Sequence, residues 1–184
     1  MDSIIEVVRC FENIIHVDGV INPLNDIEII ELELIYADLE TVMKRRERVK
    51  KQLKADKSAA KEDLILERIE KTLNEGKGAR SIEFTTEEKE IIKSLHLLTL
   101  KPLMYVANVD EETIQNVDEN ENFKKVKKYA ESQNAKVIPI CVKLEEEISE
   151  LESEEEKKEF LEMMGLDKSG LDRLVIASYD ILGL

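Results

Sequence analysis

Lys101-Pro102-Leu103-Met104-Tyr105-Val106-Ala107-Asn108-Val109-Asp110-Glu111 sets a short apolar run, Leu103 to Ala107, directly ahead of a polar Asn-x-x-Glu. A run this short and this apolar predicts a strand buried on both faces, the kind found in parallel sheets. Ligands of open parallel sheets bind beyond the carboxyl ends of the strands. The loop that begins at Asn108 therefore falls where a nucleotide-binding α/β domain reads its base. An Asn side chain offers a base edge both a donor and an acceptor. A four-residue pattern with two fixed positions recurs by chance, so its weight comes from context. The sequence contains no G-x-x-x-x-G-K-[ST], so the loop that cradles phosphates in such sites is not among these 184 residues.

Outward from this stretch, the context is α/β. Ile4-Ile5-Glu6-Val7-Val8 and Val137-Ile138-Pro139-Ile140-Cys141 read as two further buried strands. A helix from about Asn122 to Gln133, with Phe123, Val126 and Ala130 inward, makes a right-handed crossover between the second and third strands. Thr85-Thr86-Glu87-Glu88 starts a helix carrying Ile91, Ile92 and Leu95. Leu144–Leu151 is expected to be helical. Ser153-x-x-Glu156 caps a helix with Phe160, Leu161 and Met164, ended by Gly165. Ser169-x-x-Asp172 caps the last helix, expected to be buried through Leu171, Leu174, Val175 and Leu182.

Between the first and second strands lies a long helical excursion. Asn25-Asp26-Ile27-Glu28 reads as its start. Leu32, Ile35, Leu39, Val42, Arg46, Val49 and Leu53 then recur at alternating spacings of three and four, a heptad seam with one polar interruption at Arg46. After a break near Asp56-Lys57-Ser58, a second stripe of Leu66, Ile69 and Leu73 runs to Gly76 and Gly78. Two such helices make an antiparallel hairpin whose seam supplies most of its stability. The expected organisation is a strand and loop over 1–24, a helical coiled-coil insertion over 25–78, and the rest of the α/β domain with its base-reading loop over 79–184.

Composition narrows the function. The net charge is −14, yet Lys44 to Lys61 holds nine basic residues against two acidic ones. A basic tip on an acidic body suits a phosphate backbone, and the plainer alternative is a solvated helix face. The acidic run Glu145–Glu159 reads as the solvated face of its helices rather than a metal site. Cys10 and Cys141 follow apolar runs and read as buried, reduced thiols; with His16 and His96 they give no zinc spacing. No apolar run is long enough to span a bilayer and no signal-peptide pattern is present, so a soluble, cytoplasmic protein is expected.

Several separated motifs resemble the YchF family of Obg-like ATPases, within the P-loop GTPases. They are Arg9-Cys10-Phe11-Glu12-Asn13 with Ile14-Ile15-His16-Val17, then Pro23-Leu24-Asn25-Asp26-Ile27-Glu28. Leu98-Thr99-Leu100-Lys101-Pro102 runs into Tyr105–Glu111, and Ser169-Gly170-Leu171-Asp172-Arg173-Leu174 continues to Tyr179–Leu184. The resemblance covers essentially the whole chain. It implies the C-terminal part of a P-loop NTPase G domain, with about three parallel strands, carrying an inserted antiparallel coiled-coil hairpin. Family members carry a phosphate-binding loop, a switch region and a metal-contacting Asp-x-x-Gly ahead of the position matched by Asp2, and a small β-rich TGS domain after the position matched by Leu184. On that reading the chain is a fragment, inactive alone, of a nucleoside triphosphatase that uses ATP or GTP with Mg²⁺ and acts with the ribosome.

The resemblance assigns base recognition to Asn108, Val109 and Glu111, with a backbone contact from Val142. Cys141-Val142-Lys143 stands where the family carries Ser-Ala-Lys. Most GTPases have Asn-Lys-x-Asp at the base loop, and the Asn-x-x-Glu form goes with ATP preference or relaxed specificity. Glu displaces the carboxylate by one methylene and spoils a bidentate fit to guanine. Val109 would turn backbone and an apolar side chain toward the base. Lys44, Arg45, Arg48, Lys50, Lys51 and Lys54 would contact RNA or the ribosome. His16 and His96 read as structural or surface residues, and no catalytic acid, base, nucleophile or metal ligand is assigned. Two functions follow: part of a YchF-type nucleotide hydrolase, or a stand-alone coiled-coil module that binds RNA or protein and in which the base loop is a relic.

Overall fold

The computed structural model describes residues 2–11, 21–53 and 57–184. The predicted His16 and Lys54 lie outside them. The described chain groups into two compact units, Met1–Ile27 with Pro102–Leu184, and Glu28–Lys101.

The first unit is built on a three-stranded parallel sheet in the order β1 (Ile4–Arg9), β2 (Leu103–Asn108), β3 (Lys136–Ile140). β2 is central, and residues 103–107 are all buried, as their unbroken apolar run requires. One face of the sheet, with Val8, Leu103, Tyr105 and Ala107, packs on Phe123, Val126 and Ala130 of α5 (Glu121–Ser132). The other, with Met104, Val106, Ile138 and Ile140, packs on Leu174, Ala177 and Ile181 of α8 (Gly170–Leu182). That corrects the expected buried face of α8. Leu174 is inward, but Leu171 and Val175 are 53% and 54% exposed and Leu182 is also exposed. On the same sheet face, Ile5 and Val7 of β1 remain exposed.

Among the described residues this unit also holds α4 (Glu111–Gln115), α6 (Val142–Glu150) and α7 (Glu154–Met163). α4 begins inside the stretch read as a loop, with Asp110 Oδ1 accepting from Thr113 N–H at 2.7 Å. α7 is opened by the predicted Ser153–Glu156 capping box. The α8 N-terminus is tied to α6 by one carboxylate: Gly170 N–H and Leu171 N–H donate to Glu145 Oε1 and Oε2 at 2.6 and 3.1 Å.

α1 (Pro23–Gln52) starts two residues before the expected position. Pro23 takes the first helical place, where a missing N–H costs nothing, and Asn22 Oδ1 accepts from Asn25 N–H at 3.4 Å. In the second unit α1 packs with α2 (Ala60–Asn74) through Ile35, Val42 and Val49, spaced by sevens, against Ile65, Leu66, Ile69 and Leu73. Leu32, expected in the seam, is exposed. The polar interruption, Arg46, is a three-way fork: Nε to Asp63 at 3.1 Å, Nη2 to Glu67 at 2.6 Å and Nη1 to Glu70 at 2.7 Å. α2 ends on Gly76 at φ +74°, with Lys77 N–H bonding Thr72 O and Gly76 N–H bonding Leu73 O. Residues 79–101, placed with the α/β part by sequence, pack on this helix pair through Ile82, Phe84, Ile91, Ile92 and Leu95. They include α3 (Thr86–Ile92) with its Thr85–Glu88 capping box.

One buried carboxylate organises this second unit. Asp38, 2% exposed, accepts from Leu98 N–H at 2.7 Å, Thr99 N–H at 2.8 Å and Thr99 Oγ1 at 2.6 Å, and Thr99 Oγ1 accepts from Ala79 N–H at 2.9 Å. Asp38→Ala leaves three donors without that partner and is expected to cost about 3 kcal/mol in denaturant unfolding; a loss below about 1 kcal/mol contradicts this role. Gly170→Ala tests the other unit. Ala ordinarily favours a helix over Gly, but a Cβ here would meet Glu145 Oε1 at 2.8 Å and Ile140 Cγ2 at 2.9 Å. We expect the sign to reverse, with a loss of about 1–3 kcal/mol, and unchanged or increased stability would refute the clash.

Candidate functional site

β1 and β3 each hydrogen-bond β2 and stop beside its end, and the ladder continues past them. Cys10 N–H donates to Asn108 O at 2.8 Å, and Val109 N–H donates to Ile140 O at 2.9 Å. The backbone of the Asn-x-x-Glu segment is thus fixed from both sides before any side chain acts. The Asn108 side chain adds a third tie, since Val142 N–H donates to its Oδ1 at 3.2 Å. With Oδ1 engaged, the Nδ2 amino group is the part of Asn108 available to an acceptor on a ligand.

Around this tie lies a cavity of about 690 Å³ lined by Phe11, Asn108–Glu112, Cys141–Lys143 and Glu146. Its size is in the range of small-molecule sites. The sequence brings Asn108, Val109, Glu111 and Val142 to this one place, but two of them play different parts from those expected. Val109 is 1% exposed, its side chain packed in the core. The Val142 N–H is taken by Asn108. Glu111 is the first residue of α4, and its Oε1 lies 2.5 Å from Lys143 Nζ. Sequence reasoning did not assign Lys143 to the site, although it closes the Cys-Val-Lys triplet that pointed there. Pairing with Glu111 pushes the Lys143 ammonium above its ordinary value.

Both cysteines flank the cavity end of the sheet and are buried, free thiols. Burial, with the nearby Asp26 charge second, pushes Cys10 up to about 12, and burial raises Cys141. Among the described residues no three His, Cys, Asp or Glu side chains converge as a metal site, so no residue is assigned to hold Mg²⁺.

The basic segment lies in the Glu28–Lys101 unit. Lys44 pairs with Glu40, Arg45 Nε with Glu62 at 2.6 Å, and Lys61 with Glu87. Arg48, Lys50 and Lys51 make no ion pair among the described residues. Lys44, Arg45 and Arg48 line a groove of about 390 Å³ with Thr41, Ser94 and Leu95. His96 is exposed, at φ +50°, and belongs to neither cavity. Among the described residues no helix is long and apolar enough to cross a membrane.

Comparison with known proteins bears on both places. No family model matches the chain. It is 51% identical over 187 residues to a ribosome-binding ATPase YchF of Bacillus subtilis and 41% identical over 186 residues to that of Escherichia coli O157:H7. All of the chain is covered in each, and 51% and 50% of the relative. The chain thus spans about half the length of the curated relatives it matches. Its structure matches the Schizosaccharomyces pombe YchF GTPase with a TM-score of 0.85 at 33% identity, over 98% of this chain and 50% of that one.

The thiols give a direct test of the site's floor. With both held protonated, iodoacetamide at pH 8 should alkylate neither Cys10 nor Cys141 of the folded chain on the time scale that completes both in denaturant. Mass spectrometry showing rapid native alkylation of either would contradict the burial described.

Proposed function

The chain is a YchF-family sequence over its whole length, and from that premise we propose that it supplies the base-recognition edge of an ATP- or GTP-binding site and a cationic helical arm that meets the ribosome. The single observation that carries the first part is the Asn108–Val142 hydrogen bond at the carboxyl end of the central strand. It fixes an amide donor at the mouth of a cavity sized for a small ligand, where an open parallel sheet binds its ligand. Asn108 Nδ2 donates to a purine ring nitrogen, Glu111 borders the base edge, and Val142 holds Asn108 in place. Val109 contributes by anchoring the loop to the core.

Hydrolysis in such a protein is the work of phosphate positioning and a bound Mg²⁺. No described residue of this chain is assigned to either, so its own contribution is to bind and orient the base. The relatives' names, ribosome-binding ATPase and GTPase, support ATP or GTP as the ligand and the ribosome as the partner. For the arm, Arg48, Lys50 and Lys51 are the strongest contacts because no acid among the described residues pairs with them. Lys44 and Arg45 are shared with Glu40 and Glu62 and contribute less. Lys54 completes the set proposed for the arm.

Two measurements test the halves separately. Saturation transfer from the chain to the adenine protons of millimolar ATP should be seen, and should vanish in Asn108→Ala while the amide spectrum of β2 is kept. Equal transfer in both proteins would refute base binding by Asn108. Replacing Arg48, Lys50 and Lys51 together by Glu should abolish salt-sensitive co-sedimentation with ribosomes. Undiminished co-sedimentation would remove the arm from the interface.

A further inference from the structure

The Lys143–Glu111 pair stands at the site's mouth and is not used by the reading above. Glu111 opens α4 and Lys143 lies in the first turn of α6, so the pair bridges the two segments that Asn108 and Val142 already join. Guanine presents two adjacent donors, N1–H and the 2-amino group, and both oxygens of a carboxylate are needed to accept them. Adenine presents an acceptor at N1 and no such donor pair. With Oε1 at 2.5 Å from the Lys143 ammonium, one oxygen of Glu111 is already committed. The methylene that Glu adds over Asp gives the side chain the reach to be drawn aside.

We propose that Lys143 sets the purine preference of this site: by holding the Glu111 carboxylate, it withholds the bidentate acceptor that would favour guanine. Lys143 is a positioning residue here, acting through Glu111, and the proposal rests on the base-binding reading. Glu111 is half-buried and Lys143 largely exposed, so the pair is partly screened and the effect modest.

The test is a titration of the isotope-labelled chain with ATP and, separately, GTP, followed through the amides of Asn108–Glu112 and Val142–Lys143. The two nucleotides share sugar and phosphates, so the ratio of their dissociation constants cancels general effects on the fold. Lys143→Met keeps the apolar stem and removes the ammonium. It should shift the ratio toward GTP by about three-fold. Lys143→Arg should keep the wild-type ratio. Adding Glu111→Gln to Lys143→Met should abolish the gain, because an amide cannot accept both guanine donors. An unchanged ratio in Lys143→Met, or a gain that survives Glu111→Gln, overturns the proposal while leaving base binding intact. If the loop amides of the wild-type chain respond to neither nucleotide, base binding itself fails, and the proposal with it.

Discussion

The parallel ladder of the sheet runs one residue beyond β1 on one side, through Cys10 N–H to Asn108 O, and one residue beyond β2 on the other, through Val109 N–H to Ile140 O. The candidate site depends on that extension. A loop leaving the end of a strand is ordinarily free to move, but this one is pinned at two consecutive residues by main-chain bonds. The Asn108 side chain, which leaves the Cα just ahead of that pinned peptide group, has only its own torsions left to fix. Asn108 fixes these by accepting from Val142 N–H, and α4 and α6 start within three residues of the two ends of that bond. Burial of both thiols and of Val109 beneath the loop keeps its floor apolar.

The second unit solves a different problem with similar means. A two-helix hairpin buries only a narrow seam, and each helix alone is marginal in water. The seam here is reinforced at one end by Arg46, whose guanidinium meets three carboxylates of α2, and elsewhere by Asp38, which gathers the Leu98-Thr99 backbone. The three acidic neighbours, Glu70 first, raise the Arg46 guanidinium further above its already high value, so the guanidinium stays charged at any ordinary pH. Gly78 fits the same network because a Cβ there would come within 3.1 Å of Thr99 Cβ. The Leu-Thr-Leu-Lys-Pro stretch, one of those that carry the resemblance in sequence, thus has a structural role in Thr99.

What the sequence made legible followed from period and punctuation. Short apolar, β-branched runs located the three strands, although β1 carries Glu6 and leaves Ile5 and Val7 exposed; heptad spacing located the seam of α1, and Thr85, Ser153 and Ser169 marked helix starts that carry the expected caps. The α8 face was not legible. Its apolar residues stand on nearly every side, so periodicity could not choose Leu174, Ala177 and Ile181 over Leu171, Val175 and Leu182. Arg46 showed only as the polar interruption of the seam, and Asp38 carried no local signal at all, because their partners are distant in sequence. At the site, the motif located the four residues together but not their division of labour. That Val142 serves Asn108 and that Lys143 holds Glu111 are facts of distance between the β2–α4 junction and the start of α6, which no local pattern encodes.

The hydrogen bond from Val142 to Asn108 is the most direct point at which to test this account, and its observable is the exchange rate of the Val142 amide with solvent. In the wild-type chain that amide should be protected. In Asn108→Ala it should exchange at the rate of an open loop, while the Cys10 and Val109 amides, held by the main chain, stay protected. A Val142 amide that exchanges freely in the wild type, or whose protection survives loss of the Asn108 side chain, would mean that Asn108 does not organise the loop.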